Sequence, residues 1–412
     1  MAWRISKDGR MERLVVFATV RGRPIPLGEL VFEGKTRRQS VFRYAGSWLN
    51  RKDAWPVAPV GLPLRTKASH STPYEVPLPF FDAAPDGWGK EVLIRAFPNQ
   101  VFGLGEFLGA AGDDRVGDLR FGPTPEDGPA QWQPGPPFIA LPDGTEDLEA
   151  LQAAAEAVDE GRGSVSHLHF LYRHSADIGG ARPKTRLRRP DGSQWIAKFR
   201  AQGDGFDHPR VEAACLTVAR ACGIEVPDHE VVEVANRSVL LVRRFDRDEG
   251  AGRLGYMSAA TLMGANPTAY ATSTSYAEIA AKARSMGVHR CEAELFRRVL
   301  FNCVIHNTDD HLRNHAFIRD PAGQWRLSPA FDIVPNATPR LVIRPAPGVD
   351  PHPDVDAALL SHEWFKLSGA QAADIRGEIA DGLRTLSAAF DQWKVSGRDI
   401  ETLGHLIPMV HA

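Results

Sequence analysis

The segment from residue 306 to residue 314 constrains this 412-residue chain more than any other feature. It reads HNTDDHLRN, and a further acid, Asp332, follows it. An acid at Asp309, an amide five residues later at Asn314 and the second acid form a set of side chains used in phosphoryl transfer. The first carboxylate can accept a proton from a hydroxyl, and the other two groups can hold a magnesium ion that bridges nucleotide phosphates. This interpretation requires a phosphate-binding loop and a lysine elsewhere in the chain.

Local patterns place these three residues. Apolar residues at helical spacing predict a helix over 292–305, so that Asp309 lies in a loop at its end. Asn314 is predicted to open a strand over 315–319, and a turn and a return strand then bring Asp332 back beside Asn314. Two oxygen ligands meeting there suit magnesium. The alternative is chance spacing, because a lone loop aspartate is more often a turn or cap residue.

The lysine is Lys198, in a predicted strand over 194–199. Alternation places it on the face opposite the apolar residues Trp195, Ala197 and Phe199. A lysine on the inner face of a strand is unusual unless it meets an anion such as the nucleotide phosphates, and Glu212 in the next helix is the candidate that steadies its amine. The alternative is an edge-strand lysine that faces water.

The loop is the segment 177–185, which reads DIGGARPKT. Glycines allow backbone N–H groups to approach phosphates closely, and lysine adds positive charge. The candidates for nucleotide contact here are Gly179, Gly180, Ala181, Arg182 and Lys184. A simple turn before a strand is the alternative for this loop alone. However, glycine loop, strand lysine, helix glutamate and the Asp/Asn/Asp set follow one another in the chain order of a bilobal kinase, and their joint occurrence carries the prediction.

The predicted fold is α+β: a β-rich N-terminal subdomain, then a bilobal protein-kinase-like core with a β-containing lobe and an all-α lobe. Strands are predicted over 14–20, 27–32, 40–44, 186–189, 230–234 and 238–242, and helices over 89–96, 148–158, 211–221, 276–286, 370–390 and 397–406. Seven prolines between residues 122 and 143 indicate a linker. The predicted domains are 1–125, 126–247 and 248–412.

Composition excludes some classes of protein. The net charge is −2 and the pI about 6.7, so no global basic face for nucleic acid is indicated. The four cysteines show no CxxC pairing, which favours buried reduced thiols. No run of 18 apolar residues exists, and the N-terminus lacks a signal pattern. A soluble, cytoplasmic protein is therefore expected.

Several motifs together resemble the HipA family, the kinase toxins of bacterial HipBA-type toxin–antitoxin pairs. They are FFDAAPDGWG at 80–89, GGARPK at 179–184, IAKF at 196–199, Glu212, GIEVP at 223–227, VRRFDR at 242–247, NTDDHLRN at 307–314 and AFDI at 330–333. The resemblance covers most of the chain.

The resemblance implies a role for each matched residue. Asp309 would be the catalytic base, Asn314 and Asp332 the magnesium ligands, Lys198 a contact to the phosphates of ATP, and the backbones of Arg243 and Phe245 contacts to adenine. It further implies a serine/threonine protein kinase that phosphorylates a protein, in several members an aminoacyl-tRNA synthetase, and so halts translation. A HipB-like helix-turn-helix antitoxin would neutralise it, and the complex would bind operator DNA.

The loop departs from the family at one position. Well-studied members carry a serine there that is autophosphorylated and switches the enzyme off, whereas this chain has Asp177. Either Asp177 stands in for the phosphoserine charge and repels ATP, or this regulation is absent or moved to Ser175. If the loop flips outward, an Asp177→Ser variant is predicted to gain phosphate.

Three further interpretations stay open from the sequence. His311 either orients Asp309 or contacts a phosphate, or it is a packing residue. A cluster of His306, Asp309, Asp310, His311, His315 and Asp332 would suit a two-metal phosphatase or nuclease. A catalytically weak co-repressor that acts with the antitoxin on operator DNA is the non-enzymatic alternative.

Overall fold

The computed structural model of the chain describes residues 3–34, 38–71, 73–134, 147–177, 179–248, 252–266, 269, 272–405 and 407. Much of the predicted proline-rich linker, residues 135–143, lies outside them. The chain forms two compact units. The first unit comprises 1–202, 246–257 and 319–323, and the second comprises 203–245, 258–318 and 324–412.

A six-stranded antiparallel sheet forms one part of the first unit. Its strands are β1 (Arg4–Ile5), β2 (Met11–Val20), β3 (Arg23–Glu33), β4 (Gln39–Tyr44), β5 (Ser69–His70) and β6 (Leu119–Gly122), with β2 between β3 and β6. Because β2 has neighbours on both sides and is covered on both faces, its sequence is a continuous apolar run that is buried from Leu14 to Ala18. The three strands predicted between residues 14 and 44 are confirmed.

Among its described residues, the first unit also contains six helices and a hairpin. The helices are α1 (Gly46–Leu49), α2 (Leu78–Asp82), α3 (Gly87–Ala96), α4 (Leu104–Ala110), α5 (Leu148–Asp159) and α6 (Val165–His174). The hairpin pairs β7 (Lys184–Arg188) with β8 (Gln194–Lys198), as predicted, and Gly192 takes a positive φ in its turn. The predicted helices at 89–96 and 148–158 are confirmed, whereas α1, α2, α4 and α6 were not predicted.

The second unit begins with a helix packed on a hairpin. Helix α7 (His208–Ala221) is capped by Asp207, and β9 (His229–Val234) pairs with β10 (Arg237–Arg243). Ala235 and Asn236 both have positive φ, which is the backbone of a tight two-residue hairpin turn. Ala213 of α7 packs against Leu240 and Val242 of β10 in a buried cluster. The predicted helix and both strands are confirmed.

The rest of the chain is mainly helical. It contains β11 (Gly255–Ser258), α8 (Ala259–Met263), α9 (Tyr276–Ser285), α10 (Cys291–Val304), a 3-10 turn at Leu312–Asn314, β12 (Ala316–Arg319), β13 (Trp325–Leu327), α11 (Val355–Leu359), a 3-10 turn at His362–Phe365, α12 (Gly369–Leu383), α13 (Leu386–Gln392) and α14 (Gly397–Gly404). Among the described residues, none of the helices is long and apolar enough to cross a membrane.

The single helix predicted over 370–390 is wrong, because the structure breaks it between Leu383 and Leu386. The Thr385 backbone N–H and hydroxyl both bond to the Gly382 carbonyl, at 3.0 and 2.7 Å, which tightens the chain into a turn. Gly382 also lies so close to the end of α7 that a Cβ there would be 2.5 Å from Cys222 Sγ. The break follows from this close approach and from weak helix formers at 382 and 385.

Candidate active site

The loop that contains Asp309 begins where α10 ends. The buried residues of α10 include the predicted apolar stripe of Leu295, Phe296, Val299, Leu300 and Cys303. His306 then takes the left-handed conformation, with φ +57°, and the Asn307 N–H returns to the Asn302 carbonyl at 2.9 Å. This is a common way for a helix to end, and it turns the chain sharply after a rigid element.

Hydrogen bonds tie this loop to the segment that carries Asp332 at both ends. On one side, Asn336 N–H donates to the His306 carbonyl at 2.9 Å, and His306 Nδ1 lies 2.7 Å from the Asn336 carbonyl. On the other side, Ser328 N–H donates to the Ala316 carbonyl at 2.8 Å. Asp309 and Asn314 lie between the two attachment points on one segment, and Asp332 lies between them on the other. The structure therefore brings the three predicted residues into one region of the second unit.

Asn314 does not open a strand, contrary to the sequence prediction. It closes the 3-10 turn Leu312–Asn314, its N–H donates to the His311 carbonyl at 2.8 Å, and the strand starts at Ala316. Asn314 is buried, whereas Asp309 and Asp332 are half-buried. Period-two alternation alone could not distinguish a strand from this short turn.

Burial alternates along the loop. Asp310, Leu312 and Asn314 are buried, whereas Asp309 and His311 are half-buried and Arg313 is exposed. His311, Leu312 and Arg313 line a pocket of about 340 Å³. Its other lining residues among those that the structure describes are Ala260, Met263, Ala265, Asn266, Ala269, Thr272, Ser273 and Thr274. The polar side chains among them are Asn266, Thr272, Ser273 and Thr274.

Asp310 anchors the loop from inside. Its Oδ2 accepts hydrogen bonds from Asn302 Nδ2 at 2.9 Å, from His315 Nε2 at 2.8 Å, and from the Tyr276 hydroxyl. Asn302 also donates to Tyr276 Oη at 2.8 Å and accepts from Asn307 at 3.1 Å. No local pattern in the sequence predicted this network. The signal for it was the second aspartate of DDH and the histidine directly after Asn314.

This network includes Asp310 and His315, two of the six residues in the cluster of the two-metal alternative. Both are buried and bonded to each other. Over the described part of the chain, no group of three or more His, Cys, Asp or Glu side chains could hold a metal ion.

Asp332 has an unusual backbone. Its φ is +61°, a region that non-glycine residues seldom adopt and that is enriched at functional sites. The preceding residues hold it there: Ala330 N–H donates to the Glu225 carbonyl at 2.7 Å, and the Phe331 ring packs on Phe245 with centroids 5.3 Å apart. Phe245, a predicted adenine contact, thus lies next to the segment that presents Asp332.

The two other predicted residues of the second unit lie on α7 and β10. Glu212 is buried on α7. Arg243 ends β10, with its N–H bonded to the Asp228 carbonyl at 2.8 Å and its guanidinium 3.3 Å from the Asp228 carboxylate. Lys198 belongs to the first unit, so its pairing with Glu212 stays a prediction.

In the first unit, Lys198 is directly opposite Lys184 across the β7–β8 pair. Trp195, Ala197 and Phe199 are buried on the other face, whereas Lys198 is half-buried, which agrees with the predicted alternation. Like charges directly opposite each other are unfavourable in a sheet unless an anion offsets them. The register places both lysines on one face of the hairpin, with Lys184 buried and Lys198 half-buried.

The glycine segment is in contact with the motif at residues 80–89. Trp88 N–H donates to the Gly180 carbonyl at 2.8 Å, and a Cβ on Gly87 would lie 2.6 Å from that oxygen. Gly180 has φ +97°, and a Cβ there would lie 2.2 Å from Lys184 Nζ. Glycine is thus required at both positions, and the lysine amine lies against the glycine turn.

Asp177 is directed into the first unit. Its side chain has no exposed surface, and Arg186 Nε lies 2.9 Å from Oδ1 as an ion pair without the angle of a hydrogen bond. Ser175 is also fully buried. The charge of Asp177 is therefore offset by Arg186. The side chains of Asp177 and Ser175 are both inaccessible to solvent.

Comparisons with known proteins agree on one family. The model of the HipA-like C-terminal domain matches residues 176–391, and that of the HipA N-terminal domain matches residues 19–122. Two relatives carry the name "Putative kinase": Y4dM of Sinorhizobium fredii, 30% identical over 159 residues, and a Haemophilus influenzae protein, 24% identical over 137 residues. The matches cover 35% and 30% of this chain and only 37% and 40% of the relatives.

A solved structure gives the fold. A chain in the complex of Shewanella oneidensis HipA, HipB and operator DNA superposes with a TM-score of 0.64 at 16% identity, over 96% of this chain and 95% of that one. The predicted α+β, kinase-like fold class is confirmed by this likeness. Since the C-terminal family model alone spans more than half of its residues, this chain belongs to the HipA family.

Proposed function

We propose that this protein is an ATP-dependent serine/threonine protein kinase that acts as the toxin of a toxin–antitoxin pair. The observation that carries the proposal is the double attachment of the Asp309–Asn314 loop to the Asp332 segment, through His306–Asn336 and Ala316–Ser328. It gathers one half-buried acid and two oxygen donors in one region, as phosphoryl transfer requires.

In this proposal Asp309 accepts the proton of the acceptor hydroxyl and aligns its oxygen. Asn314 and Asp332 would hold magnesium. Their donor chemistry fits that ion, because magnesium is usually held by one or two protein oxygens and takes water and phosphate oxygens for the rest. When bound, magnesium neutralises charge on the β- and γ-phosphates. The strained backbone of Asp332 supports a functional role for its carboxylate.

The residues of the first unit are proposed to bind the ATP phosphates. The directly opposed Lys184 and Lys198 would supply two positive charges for these phosphates. The backbone N–H groups of Gly179 to Arg182 add donors. In the second unit, the backbones of Arg243 and Phe245 are proposed to meet adenine, and Glu212 to steady Lys198.

The pocket beside His311 is proposed to receive the acceptor side chain. Asp309 and His311 share the less buried side of the loop, and His311 lines the pocket. The hydroxyl and amide side chains of the pocket can form hydrogen bonds with the main chain of an incoming peptide. The proposed substrate is a protein, with an aminoacyl-tRNA synthetase as the first candidate.

A HipB-like helix-turn-helix antitoxin is the proposed partner, and DNA is proposed to be reached mainly through it. The support is the superposition on a chain from a complex that contains HipB and operator DNA. The same observation favours a second candidate function, co-repression with little kinase activity.

Radiolabelled ATP in a host lysate tests the proposal and separates the two candidates. The wild-type protein, freed of antitoxin, is expected to label at least one acid-stable protein band in the presence of magnesium, whereas Asp309→Gln is expected to label none. Growth arrest on expression should likewise require Asp309. Arrest by the Asp309→Gln variant, with no labelled band from the wild type, would contradict the kinase account.

A further inference from the structure

The loop contains two pairs of residues with the same spacing. Asp309 and Asn314, the proposed base and metal ligand, are five residues apart. Asp310 and His315 are also five residues apart, one position later, and their side chains are bonded at 2.8 Å. This bond closes the loop between residues 310 and 315 into a ring, and each of its members is the direct neighbour of a proposed active-site residue.

The ring is also fixed to the helices beneath it. Tyr276 of α9 and Asn302 of α10 both donate to the same Asp310 oxygen that His315 meets. The Tyr276 and His315 rings are in edge-to-face contact, with centroids 5.0 Å apart. All four side chains are buried. With three donors on Oδ2 and almost no exposure, Asp310 is placed to hold the loop rather than to meet a substrate.

We infer that the Asp310–His315 clasp, the bond between these two side chains, positions Asp309 and Asn314 for phosphoryl transfer. This inference rests on the proposed kinase function for its catalytic consequence. The clasp sets the distance between the two backbone positions that carry Asp309 and Asn314, while residues 311–313 form the part of the loop that lines the pocket. A displacement of about 1 Å at such a site costs about 100-fold in rate.

Asp310 and His315 are thus positioning residues, and a merely structural role must be distinguished. His315→Phe keeps the aromatic packing on Tyr276 but removes the Nε2 donor. His315→Gln restores an amide N–H at a similar reach. Tyr276→Phe is the matched control, because it removes a different donor from the same carboxylate and leaves the clasp intact.

The kinetic test measures kcat, the KM for ATP and the magnesium concentration for half-maximal rate in the four proteins. His315→Phe is expected to lower kcat about 30-fold and to raise the magnesium requirement about fivefold, since Asn314 moves with residue 315, with less than a twofold change in the KM for ATP. His315→Gln should recover most of kcat, and Tyr276→Phe should lose little. Wild-type kinetics in His315→Phe would overturn the inference, and so would a loss in His315→Gln as large as in His315→Phe.

Hydrogen exchange supplies a readout that does not need activity. His315→Phe is expected to speed the exchange of amides in residues 309–314 while α10 keeps its protection. Unchanged exchange in the loop would overturn the clasp even if the wild type proved inactive. An inactive wild type with a loosened loop in His315→Phe would instead reject the kinase proposal and retain the clasp.

Discussion

Replacing Arg186 with methionine is expected to destabilise the first unit more than replacing its ion-pair partner Asp177 with asparagine. The Asp177 side chain is fully buried, and Arg186 lies 2.9 Å from it. Arg186 has further partners, the Asp114 carboxylate at 3.3 Å and the Arg173 carbonyl. Removing Arg186 therefore leaves a buried carboxylate without its ion-pair partner, whereas removing the carboxylate leaves an arginine that is still paired.

The expected magnitudes follow from this asymmetry. Leaving one charge of a buried pair wholly uncompensated lowers the free energy of unfolding by about 3–5 kcal/mol. Arg186→Met is expected near the lower end of that range, because the buried Arg115 also interacts electrostatically with Asp177. Asp177→Asn should lower the free energy of unfolding by about 1–2 kcal/mol, because the Asp114 carboxylate still compensates the charge of Arg186. The double variant should be nearly as stable as Arg186→Met alone, or more so, since asparagine carries no charge to bury.

Equilibrium urea unfolding of the four proteins in a double-mutant cycle measures the coupling between the two side chains. A coupling of about 2 kcal/mol is expected. Equal costs for the two single variants, or a coupling below about 0.5 kcal/mol, would refute the view that this ion pair holds the glycine segment. Asp177→Ser removes this ion pair. If the loop then flips outward, the new serine is predicted to gain phosphate on incubation with ATP, and mass spectrometry that finds no phosphate there would contradict this prediction.

Four further outcomes are expected. Gly87→Ala should lower the free energy of unfolding by about 1–3 kcal/mol and raise the KM for ATP, because the added Cβ would lie 2.6 Å from the Gly180 carbonyl oxygen. Gly46→Ala is the control, because a Cβ at Gly46 meets open space, and equal effects of the two substitutions would contradict the prediction. Ala265→Trp should fill the pocket and weaken labelling of the protein substrate without changing the KM for ATP, and unchanged labelling would reject the pocket as the acceptor site. Burial and the neighbouring Arg186 and Arg173 lower the pKa of His174 to about 4, so between about pH 6.5 and 4 the unfolded chain binds one more proton than the folded chain. The stability of the fold should therefore decrease as the pH drops through that range, and His174→Gln should make the urea midpoint depend less on pH there. Burial raises the thiol pKa to about 12 in Cys222, Cys291 and Cys303. A disulfide reagent at pH 8 should therefore label these cysteines only after the protein unfolds, and rapid labelling of the folded protein would contradict this expectation.

The sequence predicted the elements whose patterns are local and long. β2 contains a continuous apolar run from Leu14 to Ala18, and α10 carries a complete apolar stripe, so both were found. The bounds of α10 were predicted to within one residue, and β2 was predicted to start three residues late. The 3-10 turn at Asn314 and the break after Leu383 were missed, because each depends on a few backbone bonds or on the close approach of another helix. Such tertiary causes leave no periodic signal.

In the candidate site, too, local patterns were predicted and tertiary contacts were not. The order of motifs and the hairpin before Asp332 were sufficient to predict that Asp309, Asn314 and Asp332 share a region. The burial of Asp177 against Arg186 could not be predicted, since the arginine lies nine residues further on, in a strand whose alternation does not specify its partner. The clasp between Asp310 and His315 was likewise hidden, because both side chains also suited a metal cluster.

Manganese binding tests the central claim most directly, since Mn²⁺ replaces magnesium at oxygen sites and its free form is measured by electron paramagnetic resonance. With a non-hydrolysable ATP analogue, the wild-type chain is expected to bind manganese. The manganese affinity of Asp332→Ala, and that of Asn314→Ala, should each be lower by at least about tenfold. Asp309→Gln should bind it like the wild type, because Asp309 is the proposed base and no ligand. Wild-type affinity in Asp332→Ala would contradict the account.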